Sequence, residues 1–145
     1  MRRFKINFFI EEISFNLKNK NKIKSLLKQV NYNNKQLSGE INYILCPDEY
    51  LLNINKEYLN HNTYTDIITF ENYDNSGELM ADIYISIDRV IENSKKFSTS
   101  FSDEIIRVIS HGFLHICGFK DKTKKESETM RVKENECIAL YNSLL

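Results

Sequence analysis

Long apolar runs are missing from this 145-residue chain: no stretch reaches the roughly 18 apolar residues that a membrane span needs. The N-terminal segment starts basic with Met1-Arg2-Arg3 and then turns apolar from Phe4 to Ile10. That run is too short, and too quickly followed by Glu11 and Glu12, for a signal peptide, and it reads as a first strand. Cysteine is scarce. Cys46, Cys117 and Cys137 are odd in number and form no CxxC pair, which suits free buried thiols in a reducing cytoplasm. Net charge is also lacking. Lys plus Arg and Asp plus Glu both number 20, so no global field draws in nucleic acid, and any such binding must be local. There is no internal repeat. Histidine occurs only three times, and two of the three lie four residues apart.

With 41% hydrophobic residues, the chain can bury one core and shows no sign of a second, so residues 1–145 read as a single domain. Apolar periodicity predicts strands near 5–10, 40–46, 66–72 and 80–86. It predicts helices near 20–30, 48–59, 87–98, 102–117 and 124–143. Residues 72–78 form a polar loop with Gly77 between two strands, the pattern of a hairpin. The expected architecture is α+β: a compact domain with a mixed sheet of about four strands, packed with about five helices. A metal site is expected at the end of a core helix.

That helix is predicted over 102–117, with Ser102 as N-cap and Asp103 and Glu104 placed where the helix dipole favours negative charge. Ile105, Ile106, Ile109, Phe113 and Ile116 recur at helical spacing and form its expected buried face. His111 and His115 lie just over one turn apart and point the same way. Gly118 is suited to end the helix with a positive φ, and Asp121 follows three residues later. Three side chains of this kind can hold one divalent metal and leave a coordination position open for water. Zinc peptidases of the H-E-x-x-H type carry a glutamate directly after the first histidine; here that residue is Gly112, which argues against a peptidase. Cys117 is expected to point away from the histidine stripe, into the core.

The run HGFLHICGFKD, from His111 to Asp121, resembles the signature of the YbeY family. Upstream, the stretch from Leu52-Asn53 to Tyr58, the block Thr65-Asp66-Ile67-Ile68-Thr69-Phe70 and the strand Ala81-Asp82-Ile83-Tyr84-Ile85-Ser86 are similar to further family motifs, in the same order. The resemblance implies a zinc-dependent, single-strand-specific endoribonuclease with His111, His115 and Asp121 on the metal. The implied setting is cytoplasmic ribosomal RNA processing and ribosome quality control, notably 3′-end maturation of small-subunit (16S) rRNA. Single-stranded RNA and the small ribosomal subunit are the implied partners; neither DNA nor membrane is expected.

Two positions depart from the family pattern. Asp121 stands for a third histidine, so a bound dication keeps a net charge of about +1 rather than about +2, and its water is less acidic. Leu59 stands where the family usually has an arginine implied to contact RNA phosphate. Substitution by Lys56, a slower rate, or a role of that arginine elsewhere are the open alternatives. Lys120, Lys122 and Lys124 adjoin the metal motif and are candidates for steering phosphate, against a dilution by Glu126, Glu128, Glu134 and Glu136 that suits a solvated helix face. Tyr64, Phe70 and Tyr84 are possible stacking residues for unpaired bases, although strand aromatics are more often core. His61 precedes the Thr65–Phe70 block in a loop and is not expected to be a ligand. The competing class is a non-catalytic ribosome assembly factor with a structural metal.

Overall fold

Alternate residues of the two central strands are apolar and buried, and this fixes which face of the sheet meets the helices. In the computed structural model, which describes residues 3–144, Ile41, Tyr43 and Leu45 alternate along β2 (Gly39–Cys46). Leu79, Ala81, Ile83 and Ile85 do the same along β4 (Leu79–Ser86). Met1 and Arg2, the basic start read above, and Leu145 lie outside the described residues. The sheet is completed by β1 (Phe4–Ile10) and β3 (Ile67–Tyr73). Its spatial order is β1-β2-β4-β3, with β1, β2 and β4 parallel and β3 antiparallel to β4. The β3–β4 hairpin closes on Asp74, whose Oδ1 accepts from the backbone N–H groups of Ser76 and Glu78, while Gly77 takes φ 83°.

Five helices flank this sheet: α1 (Lys20–Asn33), α2 (Asp48–Leu59), α3 (Ile87–Lys96), α4 (Phe101–Ile116) and α5 (Lys124–Ser143). The α+β architecture expected from periodicity is therefore present, with element ends within a few residues of the expected ones. The main core joins the Ile41/Tyr43/Leu45 face of the sheet to α1, α4 and α5. Among the described residues the opposite face carries a smaller cluster, Cys46, Leu51 and Ile68, supported by partly buried Tyr50 and Ile54 of α2 and Phe70 and Tyr84 of the sheet. Phe70 and Tyr84 meet edge-to-face at 5.9 Å and so serve mainly as packing.

Helix α4 is the axis of the molecule. Ile105, Ile106, Ile109, Phe113 and Ile116 are all buried, and the hydroxyl of Tyr43, itself fully buried, donates to the Ile109 carbonyl at 2.9 Å. The N-cap is Ser100 rather than Ser102: Ser100 Oγ accepts from the Asp103 N–H at 3.0 Å. The helix begins earlier because Phe101 is drawn into the first turn, where its ring packs on Phe15 at 5.8 Å. At the other end, Gly118 takes φ 102°, its N–H bonds the His115 carbonyl and the Phe119 N–H bonds the Leu114 carbonyl, both at 3.0 Å. This reversal turns the chain back toward the helix end and brings Asp121 to the histidines.

Candidate metal centre

His111 and His115 stand on the last two turns of α4, and Asp121 lies in the loop between α4 and α5. Their donor atoms form a tight triangle. His111 Nε2 and His115 Nε2 are 3.1 Å apart, and Asp121 Oδ2 is 3.4 Å from each. A tetrahedral ion with bonds of about 2.0–2.1 Å separates its ligand atoms by about 3.3–3.4 Å, so the triangle has the size of one face of such a coordination shell. This is the group of His, Cys, Asp and Glu among the described residues that could hold a metal. All three side chains are partly exposed and line a cleft of about 530 Å³, which leaves the fourth side open to solvent and substrate.

The arrangement is set from behind by Glu134, one of the four glutamates weighed above as diluting the lysine cluster. Glu134 is only 6% exposed, and its Oε2 lies 2.6 Å from His111 Nδ1. A carboxylate can only accept, so Nδ1 carries the proton and donates, and the Nε2 lone pair is directed at the cleft. Glu134 Oε1 accepts from Arg107 Nη1 at 3.0 Å, with Arg131 Nη1 3.7 Å away. Burial alone would push the Glu134 carboxyl up, but the hydrogen bonds from His111 and Arg107 hold it below its ordinary value. Burial would likewise lower the His111 imidazole, but the Glu134 bond and charge, followed by Asp121 and Asp66, raise it. The signal for Glu134 was present in the sequence: Met130, Glu134, Cys137 and Tyr141 form the buried stripe of α5, so a carboxylate on that stripe needed a partner.

The far wall of the cleft is the edge strand β3 and the residues before it. Asp66, Thr69 and Glu71 face the metal donors there. Burial pushes the Asp66 carboxyl above its ordinary value despite the nearby His111. Its Oδ2 is 3.5 Å from Asn93 Nδ2, and its carbonyl accepts from the Ser86 N–H at 2.9 Å. Asp66, part of the Thr65-to-Phe70 motif, becomes a candidate functional group through its position in the cleft. Gly112 is explained by packing. A Cβ on it would lie 2.9 Å from Ile67 Cδ1 and 3.1 Å from Ile83 Cγ2, so α4 meets the sheet here and a glutamate side chain would not fit.

Lys56, Lys120, Lys122 and Lys124 are all exposed, and none lines the cleft. Leu59 and His61 line a neighbouring hollow rather than the metal cleft. Cys117 is buried in the core, pointing away from the donors as expected, and all three cysteines are free.

Fold and site together define a protein with a histidine–histidine–carboxylate centre, backed by a buried carboxylate and open on one side. Residues 5–142 match the sequence profile of the family described as Endoribonuclease YbeY. A relative of that name from Christiangramia forsetii is 47% identical over 142 residues, spanning 98% of each chain. Another, from Flavobacterium johnsoniae, is 47% identical over 134 residues, or 92% of this chain and 96% of its own. The solution structure of a Thermotoga maritima protein aligns with a TM-score of 0.62 at 22% identity, covering 94% of this chain and 88% of that one, a likeness of fold. This chain belongs to the endoribonuclease YbeY family.

Proposed function

We propose that this chain is a zinc-dependent, single-strand-specific endoribonuclease acting in the cytoplasm on ribosomal RNA, with the 3′ end of small-subunit rRNA as its substrate. The reading rests above all on the triangle of His111, His115 and Asp121 donor atoms, 3.1–3.4 Å apart in an open cleft. The family to which the chain belongs, whose relatives carry the name endoribonuclease, supports RNA as the substrate class.

In this reading, His111 Nε2, His115 Nε2 and an Asp121 oxygen hold the ion. A zinc ion held there would supply Lewis-acid chemistry, polarising phosphate and acidifying water near neutral pH. Glu134 keeps the His111 Nδ1 proton in place and so keeps Nε2 available. Asp66, on the opposite wall, takes up a proton from the attacking water at a carboxyl oxygen, a role for which burial suits it. Among the described residues no lysine or arginine lines the cleft, so a bound dication, at about +1 after Asp121 is counted, would be its main positive charge. Lys120 and Lys122, beside Asp121, and Lys124 supply the surrounding positive field.

The test is cleavage of a labelled single-stranded RNA carrying the small-subunit 3′ end, with chelated protein, zinc-restored protein and His115→Ala in parallel. Turnover lost on chelation, restored by zinc and absent from His115→Ala is the expected result. Equal background from all four would overturn the enzyme reading in favour of a non-catalytic assembly factor.

A further inference from the structure

The metal cleft does not end at the donors. A second hollow of about 400 Å³, lined by Leu59, His61 and Tyr64 among others, shares Thr65, Ile67 and Thr69 with it. The two therefore form one groove along the N-terminal half of β3 and the segment that leads into it. β3 is the edge of the sheet, and its outer backbone is left without a strand partner.

Tyr64 sits on the rim of this groove in an unusual state: half exposed yet fixed. The residue is 51% exposed, while its hydroxyl donates to Glu49 Oε1 at 2.5 Å and the Arg89 guanidinium lies 5.7 Å from its ring centroid. Arg89 is itself held by Asp48, with Nε 3.1 Å from both carboxylate oxygens. The supporting segment is tied down as well. Asn55, buried at the end of α2, donates to the Thr63 carbonyl at 2.9 Å, and the His61 N–H bonds the Asn55 carbonyl at 3.1 Å. Phe70, Tyr84 and Tyr50 pack on one another and the exposed Tyr58 meets Phe70 edge-on; none of these four lines the groove, whereas Tyr64 does and is held by Glu49 and Arg89. A ring ordered before any ligand arrives pays little entropy on binding, which is what a stacking platform needs.

Resting on the RNA reading above, we infer that Tyr64, with His61 beside it, is a base-stacking subsite that holds an unpaired nucleotide of the substrate next to the metal cleft. Stacking explains how a groove whose described lining holds no lysine or arginine grips a polyanion, since the attraction is to the π-face of the base. It also makes selectivity for single strands a property of this groove, because a base inside a duplex presents no free face.

The chain contains no tryptophan, which provides a direct test. In Tyr64→Trp, the indole is the sole tryptophan emitter. Zinc-loaded protein is mixed in a stopped-flow instrument with a single-stranded oligoadenylate RNA, and separately with an RNA duplex of equal length. Quenching by the single strand and not by the duplex is expected. In steady-state cleavage, Tyr64→Ala raises KM by about 5- to 150-fold, the range for losing one stacked base, with kcat changed far less. Tyr64→Phe, which keeps the ring, recovers most of that loss. If wild-type protein cleaves RNA but the quench is absent, or KM of Tyr64→Ala is unchanged, the subsite is wrong and the enzyme reading stands. If wild-type protein neither cleaves nor binds the single strand, the enzyme reading fails and the subsite fails with it.

Discussion

The two walls of the cleft are built on opposite principles. The wall from α4 and α5 is set in the main core, and the chain of groups behind His111 is fixed: His111 on Glu134, and Glu134 on Arg107. The wall from the Asn60–Asp66 segment and β3 is a sheet edge over a thin second layer, with its side chains turned to solvent or to the groove. Precise placement of a metal requires the first kind of wall, because ligand atoms must hold to within a few tenths of an ångström. A strand of variable sequence is better received by the second. In the proposed reading, metal holding falls to the helices, while the edge receives the substrate and contributes Asp66 as proton acceptor.

The sharpest way to break this division is to remove a donor from the helical wall. His111→Ala should abolish metal-dependent turnover, a loss of at least about a thousandfold given the several kcal/mol a metal contributes to transition-state charge. Metal content of the purified variant should fall in parallel. Retained zinc with full activity would show that the centre lies elsewhere.

Next in size is the support behind the donor. Glu134→Gln keeps the shape and a hydrogen-bond partner for His111 but removes the charge, and zinc affinity should weaken about 10- to 100-fold. Competition with a chromogenic chelator reads this directly, independently of cleavage. An unchanged affinity would reduce Glu134 to a packing residue of α5.

What the sequence disclosed and what it hid follow the same division. Local signals carried far: Gly118 and its positive φ, the apolar face from Ile105 to Ile116, and the hairpin around Gly77 all depend on neighbours in the chain. So did the proximity of His111 and His115, which one helical turn guarantees. The position of Asp121 follows from the Gly118 reversal, again a local event. Glu134 was misread because its partner lies 23 residues away and its burial depends on how α5 packs on α4. Asp66 was passed over for the same reason, since only the sheet order brings the start of β3 to the end of α4. The shift of the N-cap from Ser102 to Ser100 was decided by Phe15, a contact no local pattern contains.

The walls meet where α4 crosses the sheet, and Gly112 sets how closely. Gly112→Ala inserts a methyl 2.9 Å from Ile67 Cδ1. That atom is the flexible end of a side chain, so the cost should sit near the lower end for overpacking, about 1 kcal/mol, or about 3 °C in Tm. Because Ile67 lines the cleft, the displacement should also alter KM for RNA more than zinc affinity. Thermal unfolding reads the stability cost, and steady-state cleavage together with zinc competition separates KM from zinc affinity. An equal loss of both would mean that the walls move as one body.

The smallest effect compares the two layers without disturbing either. Cys117 and Cys137 lie in the main core behind the helical wall, whereas Cys46 lies in the thin cluster under α2. Burial raises all three thiols, Cys46 and Cys117 to about 12, so at pH 8 each is overwhelmingly the unreactive thiol in the folded state. Alkylation must then wait for opening, and its order reports which layer opens first. Cys46, in the smaller cluster with Leu51 and Ile68, should label ahead of Cys117 and Cys137 when rates are followed by mass spectrometry at rising sub-denaturing urea. Simultaneous labelling of all three would make the molecule one cooperative unit. Earlier labelling of Cys117 would invert the comparison, making the helical wall the labile one and leaving the metal donors without the rigid backing inferred for them.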